Sequence, residues 1–160
     1  MLKNHTAKIL VDKNLTKNFK IAIVKTDYYI EHISLLEKYA VLTLLKNGVL
    51  KKNVKSFTAP GSWEIPILAQ KVARLKKFDA IIAFGIIIKG ETYHFDMIAN
   101  ECARSLMQIS LSCDIPIAIE ILAVYDKKEA EKRAGDNNLN KGIEGAMAVL
   151  KTLLEINKIK

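Results

Sequence analysis

Apolar residues along the chain fall into short unalternating runs that take turns with longer stretches of helical period. Phe19-Lys20-Ile21-Ala22-Ile23-Val24 is a short β-branched run. Ile33, Leu36, Ala40, Leu44 and Leu45 then recur at helical spacing until Asn47-Gly48, which predicts a strand, a helix and its cap. Asn53 to Thr58 reads as a second strand. Ala59-Pro60-Gly61-Ser62 breaks it and offers Ser62 as the N-cap of a helix with Ile65, Leu68, Ala69, Val72 and Leu75 on one face. Pro66 fits there because the first turn loses little hydrogen bonding to a missing N–H.

Asp79 to Ile88 is apolar without alternation, as a parallel strand covered on both faces should be. Beyond Lys89-Gly90, Thr92 is a candidate N-cap, and Phe95, Ile98, Ala99, Cys102, Leu106 and Ile109 keep helical spacing until Asp114-Ile115-Pro116. Ile117 to Val124 is a fourth strand, Lys127 to Ala134 a short charged helix and Gly135 to Asn138 a turn. Ile143, Ala146, Met147, Leu150 and Leu154 mark a final amphipathic helix.

Strands alternating with helices predict the α/β class, here a three-layer α/β/α sandwich on a four-stranded parallel sheet. Residues 19–160 are expected to form its single domain. Residues 1–18, too polar for a core, are expected to be an N-terminal arm, either a tail or an edge strand given to a neighbour. No internal repeat is present.

Composition narrows the function. At 160 residues the chain has the size of one domain, and 50% apolar residues with only 7 Gly and 3 Pro exclude disordered and collagen-like readings. The longest apolar run, Ala80 to Ile88, is about half of the ~20 residues a membrane-crossing helix needs. Met1 to Asn18 has no apolar core of a secretory signal, so the cytoplasm is the expected location. Cys102 and Cys113 fall on one predicted helix, roughly 16 Å apart along its axis and too far to pair, and their spacing suits no metal. Of the net +8, nearly all lies in residues 1–55, with 11 Lys against Asp12, Asp27, Glu31 and Glu37. These lysines are spread through presumed strands and helices with no recognised nucleic-acid motif, which favours a solvated face over a nucleic-acid surface.

Ligands of parallel sheets bind beyond the carboxyl ends of the strands, so the loops after Val24, Thr58, Ile88 and Val124 are where chemistry is expected. After the third strand, Gly90-Glu91-Thr92-Tyr93-His94 puts a glycine, a helix start suited to an anion and a histidine together. The same residues also describe an ordinary capped helix with a surface histidine. After the second strand, Trp63 either walls an aromatic ligand or joins the core, and Glu64 either accepts ligand donors or complements the helix dipole. Tyr28 and Tyr29 either stack on a ring or cover the sheet edge. Arg133 and Lys141 flank a glycine-containing turn, as phosphate grips or as solvated charges.

Taken together, Pro60-Gly61-Ser62-Trp63-Glu64-Ile65-Pro66, the block Phe84 to Asp96 followed by Ala99-Asn100-Glu101, and Arg133-Ala134-Gly135 with Asn140-Lys141-Gly142 resemble the lumazine synthase family over about residues 19–155. The resemblance implies a flavodoxin-like strand order. It also implies condensation of 5-amino-6-(D-ribitylamino)uracil with 3,4-dihydroxy-2-butanone 4-phosphate to 6,7-dimethyl-8-ribityllumazine, the penultimate step of riboflavin synthesis, without metal or organic cofactor. By that resemblance His94 is the proton-transfer residue. Glu91, Thr92 and Arg133 bind the butanone phosphate. Tyr28, Ser62, Trp63, Glu64, Ile86, Ile87, Ile88, Ile119 and Lys141 bind the ribitylaminouracil.

The resemblance further implies small-molecule partners only, with neither nucleic acid nor membrane, and sites shared between neighbours of a pentamer, to which Ile119 and Arg133 reach across. Pentamers, decamers and 60-subunit shells occur in the family, with riboflavin synthase as a further partner. Ile9-Leu10-Val11 is the candidate strand for a neighbour's sheet. Two departures stand out: Thr26-Asp27-Tyr28-Tyr29 where the family has Ser-Arg-Phe-Asn or similar, and Ile119-Glu120 where it commonly has an aromatic or polar residue and glycine. They leave open a riboflavin- or lumazine-binding or scaffold protein that has lost turnover. His94, Thr92 and Arg133 together favour the enzyme.

Overall fold

The structure, a computed structural model, describes residues 11–159. Its strands are β1 (Ile21–Thr26), β2 (Val54–Ala59), β3 (Ala80–Ile88) and β4 (Ile117–Val124). Its helices are α1 (Lys13–Thr16), α2 (Ile30–Lys46), α3 (Ile65–Arg74), α4 (His94–Cys113), α5 (Lys127–Ala134) and α6 (Lys141–Ile159). The four strands form one parallel sheet in the order β2-β1-β3-β4, the flavodoxin-like order. Apolar side chains of α2, α5 and α6 cover one face and those of α3 and α4 the other, giving three layers. At the centre, Ile81, Ile82 and Phe84 of β3 have no exposed surface. Burying an isoleucine so completely stabilises the fold by about 1.5–3 kcal/mol.

The first strand runs later than its apolar pattern, from Ile21 through Lys25 and Thr26. Two backbone-anchored bonds set its start: Lys20 N–H donates to Asp79 Oδ2 at 2.7 Å, and Asp79 N–H to the Lys20 carbonyl at 2.8 Å. Lys25, polar and near the strand end, is paired with Glu37 of α2.

Neither Ser62 nor Thr92 caps a helix. Ser62 opens a 3₁₀ turn, Ser62–Glu64, that leads into α3, and α4 begins at His94 behind Tyr93. Glu64 and Tyr93, the residues just before these helices, are already in helical conformation. A side-chain cap needs extended backbone at that position. The caps lie elsewhere. Asp126 accepts from Glu129 N–H and Glu129 from Tyr125 N–H, both at 2.9 Å, which ties down the start of α5 and the residue before its cap. Asn140, 1% exposed, accepts from Gly142 and Ile143 N–H and donates to the carbonyls of Ala134 and Gly135. One amide thereby closes α5 and opens α6.

Of the N-terminal arm, Lys13–Thr16 forms a helical turn capped by Asp12. Thr16 is fully buried and donates to the Asn47 carbonyl at 2.6 Å. The chain is thus anchored before the sheet begins, where sequence polarity predicted only a tail or a strand. Of Ile9-Leu10-Val11, Ile9 and Leu10 lie outside the described residues; Val11 is in neither helix nor strand. No helix among the described residues is long and apolar enough to cross a membrane.

Candidate active site

Beyond the carboxyl ends of β1, β2 and β3 lies a half-open cavity of about 410 Å³. Its floor is the end of β3, Ile86, Ile87 and Ile88. One wall is the Pro60-Gly61-Ser62-Trp63 segment, another is Tyr28 and Tyr29, and the third is the α4 start with Gly90, Thr92, His94, Phe95 and Ile98. Four separate segments of the sequence meet here because parallel strands all end on one edge.

Each wall has a local cause. Tyr29 sits in left-handed backbone (φ 57°) at the start of α2 and meets Tyr28 edge-on at 4.8 Å between ring centroids. Tyr28 remains 63% exposed, with its ring free for a partner. Trp63, at 42% exposure, is wall and not core; its ring lies 6.2 Å from that of His94. In front of Gly90 a Cβ would meet nothing within 4 Å, so a ligand has open access to the backbone there. The amides that open the 20-residue α4 give this corner a positive potential.

The cavity thus gathers Tyr28, Ser62, Trp63, Ile86, Ile87, Ile88, Thr92 and His94 of the residues singled out from sequence. Glu64, Glu91, Ile119, Arg133 and Lys141 do not line it. The Glu64 carboxylate folds back beside Gly61, and Glu91 is exposed next to Gly90. Ile119 packs with the core on the α3–α4 face. Arg133 donates to the Glu129 carbonyl of its own helix at 3.2 Å, and Lys141 pairs with Glu144 at 2.6 Å. Phe95 and Ile98 line the cavity although their spacing read as core; at the first turn of α4 that face looks past the sheet edge. Lys89 adds a cation nearby, 5.9 Å from the Phe95 ring centroid and 5.3 Å from that of Tyr125.

Glu120 points beneath α6, not outward. A Cβ on Gly145 would lie 2.9 Å from its Cγ and 3.3 Å from its Oε1. Burial pushes its carboxyl from 4.5 up to about 7; Lys141 opposes the shift and Glu144 adds to it. The folded chain therefore keeps a proton that the unfolded chain loses. Stability is full below pH 4.5 and falls as pH rises through about 7. Glu120→Gln should flatten that part of the stability-pH curve, gaining on the order of 2 kcal/mol at pH 8 after allowance for partial solvent screening. Chemical denaturation at pH 5 and pH 8 measures it; an unaltered slope would remove Glu120 from the account.

A larger, shallow cavity of about 820 Å³ lies between α3 and α4, lined by Pro66, Ile67, Gln70, Gln108 and Leu111 among others. No ionisable side chain lines it, whereas His94 lines the strand-end cavity. No cluster of His, Cys, Asp and Glu suited to a metal occurs among the described residues.

A parallel sheet with a histidine, aromatic walls and a helix start at one edge defines an α/β protein with a small-molecule site at its strand ends. The 6,7-dimethyl-8-ribityllumazine synthase family model matches residues 18–157. A 6,7-dimethyl-8-ribityllumazine synthase from Leuconostoc mesenteroides subsp. mesenteroides is 35% identical over 143 residues, covering 89% of this chain and 92% of that protein. The chain belongs to the 6,7-dimethyl-8-ribityllumazine synthase family.

Proposed function

We propose that this chain condenses 5-amino-6-(D-ribitylamino)uracil with 3,4-dihydroxy-2-butanone 4-phosphate to 6,7-dimethyl-8-ribityllumazine, releasing phosphate and water, as a transferase of riboflavin biosynthesis. The observation that carries the reading is the convergence of His94, Thr92, Trp63, Tyr28 and the Ile86–Ile88 strand end on one cavity in a member of this family. Appearance of lumazine above an enzyme-free blank tests it.

The reaction joins an amine to a ketone as an imine, eliminates phosphate, and closes the ring onto the second carbonyl. Each step moves protons and needs two substrates held in register, so orientation and acid-base help are what the protein must supply. His94, at the mouth of α4, is the proton carrier. Thr92 and the free amides around Glu91 hold the phosphate; the Glu91 carboxylate itself would repel it, and its backbone serves instead. Tyr28 stacks on the pyrimidine ring, Ile86, Ile87 and Ile88 line it, and Ser62, Trp63 and Glu64 read the ring and ribityl chain.

Arg133, Ile119 and Lys141 stand away from the cavity of their own subunit, which supports a role across a boundary between copies. We read the protein as a homo-oligomer, a pentamer or an assembly of pentamers, with Arg133 and Ile119 serving the adjacent site. Exposed Ile67, Met107 and Leu111 on the α3–α4 face support such contacts. The two free cysteines suit the reducing cytoplasm, where we place the enzyme, with riboflavin synthase as the acceptor of its product. Arg133→Ala should raise KM for the butanone phosphate roughly 10- to 100-fold, the cost of losing a charge-assisted bond. Steady-state kinetics with that substrate varied measures this, and an unaltered KM would refute the phosphate role.

A further inference from the structure

The Ser62–Glu64 turn forms the wall that faces His94, yet no side-chain cap within the turn fixes it. It is seated from two sides instead. It rests on β3 at Gly85, where a Cβ would lie 2.9 Å from Ser62 Oγ and 3.0 Å from Ile65 Cδ1. From the other side, Cys102 Sγ donates to the Ser62 carbonyl at 3.3 Å. Cys102 is 1% exposed, and burial pushes its thiol up to about 11, so the S–H is intact at neutral pH. It lies on α4, eight residues beyond His94 and thus roughly 12 Å along the same rigid helix. One helix therefore carries the histidine at its first turn and the anchor of the opposite wall two turns on.

We propose that Cys102 is a positioning residue: its hydrogen bond to the Ser62 carbonyl fixes the Ser62–Trp63 wall relative to His94 and so sets affinity for the ring-bearing substrate, which it never touches. The inference rests on the functional reading above for its kinetic consequence, but not for its structural one. Trp63 is the only tryptophan of the chain, so its fluorescence reports the placement of this wall directly.

Cys102→Ala removes the donor and leaves a smaller side chain, Cys102→Val removes it with a somewhat larger, branched one, and Cys102→Ser restores a donor. In the full chain, the alanine and valine variants should raise KM for 5-amino-6-(D-ribitylamino)uracil about 2- to 10-fold, the usual net worth of one hydrogen bond, with kcat within about twofold of wild type. Acrylamide should quench their Trp63 emission more strongly, and the serine variant should match wild type on both readouts. Unaltered KM and quenching in the alanine and valine variants would overturn the proposal. So would a serine variant that behaves like alanine, since the effect would then be packing. If the wild type forms no lumazine, the functional reading falls, and the quenching comparison alone still decides the role of Cys102.

Discussion

Turnover of the His94→Ala variant should fall by roughly 10- to 10³-fold, with KM for both substrates changed little. Removing general acid-base help commonly costs 10²- to 10⁴-fold. The expected loss lies toward the low end because an amine and a ketone condense without a protein, so the remaining site still orients a reaction that proceeds unaided. His94 is suited to the task by place as well as type: it is exposed at the first turn of α4, on the cavity wall, with Trp63 across from it. Its exposure also means that alanine leaves packing intact, so the melting temperature should stay within a degree or two of wild type. Rapid-mixing or steady-state rates at saturating substrates measure the effect. A rate equal to wild type would show that the proton carrier is another group.

Gly142→Ala should destabilise the fold by about 3 kcal/mol, the upper end of the usual cost of overpacking. Alanine is the better helix former by up to ~1 kcal/mol, so propensity alone predicts the opposite sign. Space decides the matter. A Cβ at Gly142 would fall well inside contact distance of the Leu36 carbonyl oxygen and 2.9 Å from its carbonyl carbon. The obstacle is backbone of a neighbouring helix, so relief requires α6 to move away from α2, and both contribute to the same core cluster. Gly145 differs: there the nearest atoms belong to the Glu120 and Ile82 side chains, which have some freedom to give. For a chain of this size the predicted loss lowers the melting temperature by roughly 6–12 °C. Calorimetry on the variant tests it, and an unaltered melting temperature would show that the helix contact is looser than this geometry requires.

The parallel sheet and its covering helices were legible because β3 is a continuous apolar run and each helix carries its own period, whereas the strand order followed only from the family resemblance. Those signals are local, and they survive whatever the rest of the chain does. Ser62 and Thr92 misled because neither directly precedes its helix: Glu64 and Tyr93 do, and both are already in helical conformation, which leaves no side-chain cap there. Asn140 went unrecognised as a cap for a related reason: half of its hydrogen bonds run back to the end of α5, a partner that appears only once the turn has folded.

The cavity was legible in outline, since loops after parallel strands must converge. Its lining was less so. Phe95 and Ile98 share the α4 period with true core residues such as Leu106, and only the position of the helix beyond the sheet edge turns them to the cavity. Arg133 and Lys141 carry a family pattern but engage groups of their own subunit, Arg133 the Glu129 carbonyl and Lys141 the Glu144 carboxylate, and a pattern match does not reveal such local partners. Glu120 shows the converse. Read from sequence it was only a departure from the family's glycine, and the space that admits it, left by the missing Cβ of Gly145 in α6, comes from a distant part of the chain.

The most direct test of the central claim is to mix the purified protein with 5-amino-6-(D-ribitylamino)uracil and 3,4-dihydroxy-2-butanone 4-phosphate and follow lumazine absorbance and fluorescence against an enzyme-free blank. The strand-end cavity predicts product well above the blank, in proportion to protein and reduced in His94→Ala. Product no faster than the blank, with tight binding of riboflavin or the ribitylaminouracil, would contradict it and mark the site as one that binds without turnover.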